Sequence, residues 1–293
     1  MKIFKRAVAF IFCTVFVCAA SGVSAQPLFN ASVSLSSDLK SGGTTYLSYN
    51  ESFDVALHLK TGANYYAGPF SAQVFYSGAN LKVTPELNKS GKLYSRSSSY
   101  CSAADSASMT AKAKSRFFPR SWSDTEKSKY KFCNVSLVPN AADSSTSVDN
   151  LDENVAVLHF TAGTAAGDSK IFVSSDSVKT ASNSVGQTYL SCLTDNGKVG
   201  STRYDYGTDA QLDLSGAVMN VVVSDAGDID NNKKLNSTDA LMILQHVVEM
   251  KTQTGDALKR CDTDRSGSVG SADALAVLQI ATGLMRLNDI IKR

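Results

Sequence analysis

The sequence has few of the residues on which most catalytic and nucleic-acid-binding sites depend. It contains one tryptophan, three histidines and a slight formal net charge of +2. It has no HExxH metalloprotease motif, no GxSxG nucleophile elbow, no P-loop and no dinucleotide-binding fingerprint. The small net charge also offers no basic patch suited to nucleic acid. The sequence therefore favours a non-catalytic protein, although a glycosidase, which needs only two well-placed carboxylates, stays open.

Long hydrophobic runs are also scarce, since the sequence has a single one, which lies near the N-terminus. A basic start precedes the apolar residues 7–20 and the small-residue sequence Val23-Ser-Ala25. The run is short for a membrane span, and the arrangement is typical of a secretory signal peptide over residues 1–25. Its removal would take away three of the 29 basic residues, leaving 26 against 27 acidic residues. We therefore expect a secreted, extracellular protein with a mature net charge near −1 and no membrane segment.

Four cysteines follow the expected signal peptide, namely Cys101, Cys133, Cys192 and Cys261. No CxxC spacing indicates a zinc site, and four cysteines outside the cell allow three disulfide connectivities. A Cys101–Cys133 disulfide is favoured because both residues lie in one region of the larger domain. Buried free thiols remain the alternative.

The sequence does contain a repeated acidic loop near its C-terminus. One copy runs from Asp228 to Asp239 and the other from Asp262 to Asp273, and the same apolar helical pattern follows both. Calcium takes six to eight oxygen ligands, which a twelve-residue loop supplies from positions 1, 3, 5, 7, 9 and 12. A lone acidic loop is usually a solvated turn, whereas two in register, each opening a helix, predict two bound calcium ions.

Each loop is expected to hold its ion with alternate residues, using the backbone carbonyl at position 7. The ligands expected are Asp228, Asp230, Asn232, Lys234, Asn236 and Asp239 in the first loop, and Asp262, Asp264, Ser266, Ser268 and Asp273 in the second. Position 12 is Asp rather than Glu, and Gly270 at position 9 leaves a place for water. Position 6 of the first loop is Lys233, where a left-handed conformation costs a residue with a side chain about 1–2 kcal/mol. We expect each departure to lower calcium affinity without removing a carboxylate.

The first loop has no amphipathic helix before it and follows the strand-like run Ala217–Val223. Each repeat is thus a loop followed by a helix, and the pair over residues 226–293 closely resembles the dockerin module of cellulosomes. The resemblance implies a small all-α domain and a partner surface at loop positions 10 and 11 and along the helices. Carried over to this sequence, that surface comprises Ser237, Thr238, Leu241, Gln245, Ser271, Ala272, Leu275 and Gln279. The leucines could equally form the core, and the near-identity of the repeats leaves two binding orientations open.

Residues 27–223 are expected to form an all-β sandwich of the jelly-roll type, because short runs with period-two alternation are punctuated by Gly, Ser, Asn and Asp. The strand candidates are Phe53–Leu59, Phe70–Tyr76, Lys131–Leu137, Asn154–Thr161, Ile171–Ser174 and Ala217–Val223. The Ser-, Ala- and Lys-rich segment between Asn88 and Asp152 predicts long loops and a short helix near Ala103–Lys114.

Several local sequences in this region are similar to a cohesin, the β-sandwich receptor for dockerins. They are Phe53–Leu59, Gly68–Tyr76, Asn80–Val83, Val157–Phe160 and Gly167–Val173. The resemblance implies that one sheet face binds a dockerin. Strand alternation points Phe70, Ala72, Val74, Tyr76, Ala156, Leu158 and Phe160 inward. It points Ser71, Gln73, Phe75, Val157 and His159 outward, where we expect them to form one apolar spot with a polar margin on a single sheet.

A receptor module joined to a dockerin resembles the adaptor scaffoldins of rumen bacteria. The resemblance implies a non-catalytic protein whose cohesin binds dockerin-bearing polysaccharide-degrading enzymes and whose own dockerin binds the cohesin of another scaffoldin, with calcium. Two alternatives stay open: a glycoside hydrolase, or a carbohydrate-binding module carried on the dockerin. The latter needs a planar aromatic strip, for which Trp122, Tyr65, Tyr66, Phe117 and Phe118 are the candidates. A purely structural β-domain is a further possibility.

Overall fold

The computed structural model describes residues 31–39, 43–61, 66–88, 100–104, 118–119, 121–137, 148–149, 151–173, 189–193, 203–206 and 212–291. The expected signal peptide lies outside the described residues, as does most of the predicted helix near Ala103–Lys114. Of that helix, Ala103 and Ala104 are described, and they belong to a strand.

Two β-sheets make up most of the described chain as far as Val223. The strands are β1 (Ala31–Ser37), β2 (Thr44–Leu47), β3 (Ser52–Thr61), β4 (Tyr66–Ser77), β5 (Leu81–Leu87), β6 (Tyr100–Ala104), β7 (Tyr130–Leu137), β8 (Val148–Asp149), β9 (Asp152–Ala162), β10 (Gly167–Val173), β11 (Tyr189–Leu193), β12 (Arg203–Tyr206), β13 (Leu212–Asp213) and β14 (Val218–Val223). The first sheet has the order β13-β1-β3-β9-β5. The second has the order β12-β11-β4-β10-β14-β2, with β7 and β8 also paired to β4 and β6 paired to β7.

The inward faces of the two sheets share one apolar core. Alternate residues of β3, β4 and β9 are buried in it, as the period of two predicts: Phe53, Val55, Leu57, Leu59, Phe70, Ala72, Val74, Tyr76, Ala156, Leu158 and Phe160. Each large apolar side chain stabilises the fold by roughly 1.5–3 kcal/mol when fully buried. The predicted all-β sandwich is therefore confirmed.

The predicted partner surface on the sandwich is wrong in two respects. Ser71, Gln73 and Phe75 lie on β4 in the second sheet, whereas Val157 and His159 lie on β9 in the first. The three residues of β4 are also buried, with Phe75 and Gln73 wholly inaccessible to solvent. Alternation along a strand tells which way a side chain points relative to the core. It does not tell which strands are neighbours or what covers the outer face.

Phe75 belongs to a cluster of aromatic side chains on the outer side of the second sheet. We call it the outer aromatic cluster, and its members are Phe75, Phe118, Trp122, Tyr130, Phe132 and Phe172. The ring centroid of Phe75 lies 5.0 Å from that of Trp122 and 5.7 Å from that of Phe172. Such tilted and offset arrangements are favourable for aromatic pairs. The second sheet therefore has a small apolar core on its outer side as well.

A short helix, α1 (Asp124–Lys129), connects two members of this cluster. It begins with a capping box, in which the Ser123 hydroxyl accepts from the Glu126 amide at 3.2 Å and the Glu126 carboxylate accepts from the Ser123 amide at 2.8 Å. The helix separates Trp122 from Tyr130, and the two rings lie 5.2 Å apart.

The described chain after Val223 is helical, with α2 (Ser237–Val247), α3 (Gly255–Cys261), α4 (Ser271–Ala281) and α5 (Leu287–Ile290). Its core comprises Ile229, Ala240, Ile243, Cys261, Ala274 and Val277. These residues come from the first loop, from α2, from α4 and from the end of α3, so the two repeats pack against each other. Within the described residues, no helix is both long and apolar enough to cross a membrane.

Three described cysteines, Cys101, Cys133 and Cys261, are free thiols. The favoured disulfide is therefore not formed in the structure: Cys101 faces Val135 on the neighbouring strand, and Cys133 faces Ala103. Burial raises the pKa of Cys101 to about 12, and it raises that of Cys133 as well. Such buried thiols react slowly with oxidants and electrophiles. The side chain of Cys192 lies outside the described residues.

Candidate metal centres

Two clusters of carboxylates occur among the described residues, one in each acidic loop. The first consists of Asp228, Asp230 and Asp239, and the second of Asp262, Asp264 and Asp273. Within each cluster the three ligand atoms lie within 4.8 Å of one another. The structure thus brings together the carboxylates at positions 1, 3 and 12 of each loop. Their hard oxygen atoms are donors that calcium prefers.

Backbone amides hold the carboxylates of the first loop in place. The two oxygens of Asp228 accept from the amides of Asn232 and Lys233, at 2.9 and 3.0 Å. The two oxygens of Asp239 accept from Ile229 and Asn236, at 2.9 and 3.0 Å. The loop is therefore wrapped around its first and last carboxylates, which keeps both on its inner side.

The second loop repeats this pattern at the same offset. Asp262 accepts from the amides of Ser266 and Gly267, each at 2.9 Å, and Asp273 accepts from Gly270 at 2.9 Å. These three bonds agree within 0.1 Å with their counterparts in the first loop. Gly270, which lacks a side-chain ligand, supplies the same backbone bond as its counterpart in the first loop.

Left-handed residues make this wrapping possible. Lys233 has φ 68°, as its position in the loop predicts, and its counterpart Gly267 has φ 86°. Position 4 is also left-handed in both loops, at Asn231 with φ 60° and Arg265 with φ 55°. Each such residue with a side chain costs about 1–2 kcal/mol, which the hydrogen bonds to the carboxylates offset in part.

Electrostatics in the first loop favour a bound cation. Burial raises the pKa of Asp228 and of Asp239, and the charge of Asp230 raises both further, although backbone hydrogen bonds oppose the shift. Bringing these carboxylates together is therefore unfavourable without a positive charge. A divalent cation would remove this penalty in the first loop. The carboxylate oxygens of both clusters are donors that fit calcium.

The remaining expected ligands hold local positions in their loops. The Asn232 side-chain oxygen accepts from the Lys234 amide at 2.9 Å, and its amide group donates to Asp230 at 2.8 Å. Asn236 is the N-cap of α2, and its oxygen accepts from the Thr238 amide at 2.7 Å. In the second loop the Ser266 hydroxyl donates to the Ser268 carbonyl at 3.2 Å. These oxygens thus lie in the loops but already have hydrogen-bond partners.

The residues expected to meet a partner lie on the surface of the helical domain. Ser237, Thr238, Ser271 and Ala272 are exposed, while Gln245 and Gln279 are half-buried. Leu241 is 53% exposed and Leu275 is 56% exposed. The alternative that these leucines form the core is thereby excluded, since smaller or branched neighbours occupy it.

The exposed apolar surface is larger than the sequence reasoning predicted. Leu244 and Leu278 are 40% and 38% exposed, and Met250 and Leu284 are 78% and 77% exposed. The two members of each pair are 34 residues apart, which is also the spacing between the two loops (262 − 228 = 34). Together with Leu241 and Leu275 they form what we call the repeated apolar face. Applying the loop offset to every apolar residue after each loop would have added these positions, together with the buried pair Ile243 and Val277.

Comparisons with known proteins agree with the helical part of this description. Residues 226–279 match the family model of the dockerin type I domain. No curated protein matches the chain.

Among solved structures, the chain is similar to a type II cohesin domain from the cellulosome of Acetivibrio cellulolyticus, with 15% identity, coverage of 67% of this chain and 95% of that one, and a TM-score of 0.38. It is also similar to the Coh-OlpA–Doc918 complex of Clostridium thermocellum, with 10% identity, coverage of 66% and 99%, and a TM-score of 0.38. A third is CaCohA2 of Clostridium acetobutylicum, with 13% identity, coverage of 66% and 91%, and a TM-score of 0.35. The match of residues 226–279 to the family model is the finding that identifies a dockerin type I domain in this chain, after its β-sandwich.

Proposed function

We propose that this chain is a secreted, non-catalytic adaptor scaffoldin of a cellulosome. In this proposal residues 1–25 are a signal peptide, residues 27–223 a cohesin and residues 226–293 a dockerin. The cohesin binds dockerin-bearing polysaccharide-degrading enzymes, and the dockerin binds the cohesin of another scaffoldin. The observation that carries the proposal is the dockerin match over residues 226–279, which includes both carboxylate clusters and most of the repeated apolar face.

Calcium is the cofactor of the proposed dockerin, with one ion in each loop. The ions would be held by the carboxylates of the two clusters, together with Asn232, the Lys234 carbonyl, Asn236, Ser266 and the Ser268 carbonyl. A ligand that binds only the folded form stabilises that form. Removal of calcium is therefore expected to unfold the helical domain and to release the partner held there, while the apolar core keeps the sandwich folded.

The repeated apolar face is the proposed contact surface for the other scaffoldin. Exposed leucines at equivalent places in both halves, such as Leu241 and Leu275, support this role, because contiguous exposed apolar patches mark interaction sites. The two halves offer equivalent surfaces, so a partner could bind in either of two orientations. A polar margin is supplied by Ser237 and Ser271 next to the helix starts.

Partner specificity must differ between the two modules. A cohesin that accepted the dockerin of its own kind would join copies head to tail and form open polymers. The proposed adaptor therefore discriminates against its own dockerin, and a purified sample is expected to stay monomeric in calcium.

The carbohydrate-binding alternative finds little support in the aromatic residues. Trp122 packs against Phe75 in the outer aromatic cluster, and Phe118 is only 3% exposed. Phe118 is therefore not available for a planar strip on the surface, and Trp122, which is half-buried, has part of its ring covered by the cluster. Of the other three candidates, Tyr65 and Phe117 lie outside the described residues, as does the side chain of Tyr66.

A pull-down from a secreted bacterial proteome tests the proposal. We expect the full chain to retain dockerin-bearing enzymes and cohesin-bearing scaffoldins, and a Leu241→Asp/Leu275→Asp variant to lose only the scaffoldins. Retention of the chain on insoluble polysaccharide without any partner would favour a carbohydrate-binding module. Release of sugar by the purified chain would favour a hydrolase, and either result would count against an adaptor.

A further inference from the structure

The dockerin domain touches the sandwich through both of its acidic loops. The ammonium nitrogen of Lys233, in the first loop, lies 5.1 Å from the ring centroid of Tyr49. The guanidinium carbon of Arg265, in the second loop, lies 4.6 Å from the ring centroid of Tyr46. Both distances are within the range of cation–π attraction. The two rings belong to β2 and the turn after it, so one short segment of the sandwich contacts both loops.

Both cations project from left-handed positions of their loops. Lys233 is at position 6 and Arg265 at position 4, and each has the positive φ that the loop needs there. The amide of Lys233 donates to Asp228, a member of the first carboxylate cluster. The conformation that places the Lys233 side chain is thus the conformation that gathers the carboxylates.

Tyr49 also lies close to the beginning of the first loop. Its side chain is 7% exposed, and its hydroxyl has no hydrogen-bond partner within the part of the chain that the structure describes. Burial raises the pKa of Tyr49, and the charges of Asp225 and Asp228 raise it further. Together with the contact between Lys233 and the Tyr49 ring, this makes the sandwich part of the surroundings of the first loop.

Further contacts hold the end of the dockerin domain to the same edge of the sandwich. The amide of Tyr46 donates to the Asn288 side chain at 3.0 Å, and Asn288 is 4% exposed. Arg286 forms an ion pair with Asp38 at 2.8 Å. At the linker, the Ser224 amide donates to the Leu47 carbonyl at 2.8 Å. None of these three contacts involves the loops. The interface between the dockerin domain and the sandwich is therefore formed by α5 and the linker as well as by the two loops.

We propose that calcium binding by the loops and docking of the dockerin domain on the sandwich are coupled. This inference rests on the proposed function, since it requires that the loops bind calcium. A bound ion fixes the loop backbone and so places Lys233 and Arg265 over Tyr49 and Tyr46. The docked rings in turn favour the ion-bound loop conformation, because such coupling is reciprocal. Calcium thereby sets the orientation of the two partner-binding modules relative to each other.

Aromatic substitutions in the full chain test the coupling. The Tyr46→Ala/Tyr49→Ala variant is expected to bind calcium about three- to tenfold more weakly, as judged by competition with a chromophoric chelator. The matched Tyr46→Phe/Tyr49→Phe variant keeps both rings and is expected to stay within about twofold of the wild type. In small-angle X-ray scattering with calcium present, the alanine variant should be more expanded than the wild type and the phenylalanine variant. The comparison is made in calcium because chelation is expected to unfold the helical domain in every variant.

A second pair of substitutions leaves the sandwich unchanged. In Lys233→Met/Arg265→Met, the loss of two positive charges would by itself strengthen binding of a cation. The variant also removes the bonds from Lys233 to the Asn231 side chain and from Arg265 to the Ser224 hydroxyl. A weaker calcium affinity that matches the loss in Tyr46→Ala/Tyr49→Ala would therefore indicate the loss of the ring contacts, as the coupling predicts. Unchanged or tighter binding, together with an unchanged scattering profile, would overturn the coupling alone. A wild type that binds no calcium would overturn the proposed function with it.

Discussion

A Cβ atom on Gly227 would lie 2.9 Å from the Cγ2 atom of Val277, closer than real Cβ atoms approach another heavy atom. Gly227 directly precedes the first loop, has φ +87° and donates its amide to the Arg260 carbonyl at 2.8 Å. Val277 belongs to α4 and to the core of the helical domain. The chain can therefore enter the first loop while passing close to the second repeat only if residue 227 has no side chain.

Replacement of this glycine is expected to destabilise the dockerin domain. Gly227→Ala combines the cost of a left-handed alanine with overpacking against Val277, together roughly 2–4 kcal/mol. Gly255→Ala is the matched control, because Gly255 has φ +59° but nothing within 4 Å of its Cβ position, and it should cost only about 1 kcal/mol. Thermal unfolding in calcium measures both. Equal losses in the two variants would show that the contact with Val277 contributes nothing.

Neutralising the last carboxylate of a loop is expected to weaken calcium binding in that loop. Asp239→Asn keeps the shape of the side chain but removes one of three negative charges, so affinity should fall about tenfold or more. Asp273→Asn should do the same in the second loop. Asp256→Asn is the control, because Asp256 is exposed and pairs with Lys259 at 2.9 Å outside both loops. Isothermal titration calorimetry should show one weakened ion in each loop variant. Two unchanged ions would contradict the proposed ligands.

Affinity of the repeated apolar face for a cohesin is expected to fall much less when one leucine is replaced than when two are replaced. Leu241→Ala and Leu275→Ala should each lower the affinity for a cohesin about twofold, because the second orientation remains available. The double variant should lower it more than about thirtyfold, as for a hot spot. Leu258→Ala, on α3, is the control at 36% exposure. Surface plasmon resonance measures all four. A single variant as weak as the double one would mean that only one orientation is used.

Phe75 is expected to stabilise the sandwich rather than to bind a partner. Truncation to alanine would open a cavity in the outer aromatic cluster and cost about 3–5 kcal/mol. Val218→Ala, also on the second sheet but 45% exposed, should cost less than about 1 kcal/mol. Chemical denaturation compares the two. If Phe75→Ala kept the stability of the wild type but lost an enzyme partner, the sequence-based assignment of Phe75 to a binding surface would be restored.

His159 is expected to titrate at a higher pH than an ordinary histidine. Its hydrogen bond to Asp54 at 2.7 Å raises the pKa of His159, and Glu86 at 3.6 Å raises it further. A raised folded-state pKa adds stability below the unfolded pKa, and this stability is lost as the pH rises through the folded pKa. Nuclear magnetic resonance titration of the imidazole should show the pKa falling in Asp54→Asn and falling less in Glu86→Gln. No change in Asp54→Asn would contradict this cause.

Local patterns predicted the calcium-type loops well because their geometry is local. Donors and acceptors in each loop lie within twelve residues of one another, as in the bonds of Asp228 to Asn232 and Lys233. The positive φ of Lys233 followed from its position in the loop alone. The inward residues of β3, β4 and β9 were predicted for the same reason, since alternation is a property of a single strand.

The predicted surface of the sandwich failed because it depended on contacts between distant segments. Phe75 and His159 both point away from the core, yet they belong to different sheets, and strand order is not encoded in the alternation of either strand. The burial of Phe75 depends on Phe118 and Trp122, which approach it from a loop more than forty residues away. The exposure of Leu241 was likewise undecided until the packing of α2 on α4 placed Ala240 and Ile243 in the core.

By itself, the sequence determined the two-module organisation, the repeated loops with their carboxylates and the alternation of the strands, because spacing along one segment sets each of these. Only the tertiary structure decided which strands share a sheet, which outer face is covered and how the two loops meet Tyr46 and Tyr49. These relationships join residues far apart along the chain: Arg265 and Tyr46, for example, are separated by 219 positions (265 − 46 = 219). They arise from the collective packing of whole elements, which no single segment specifies.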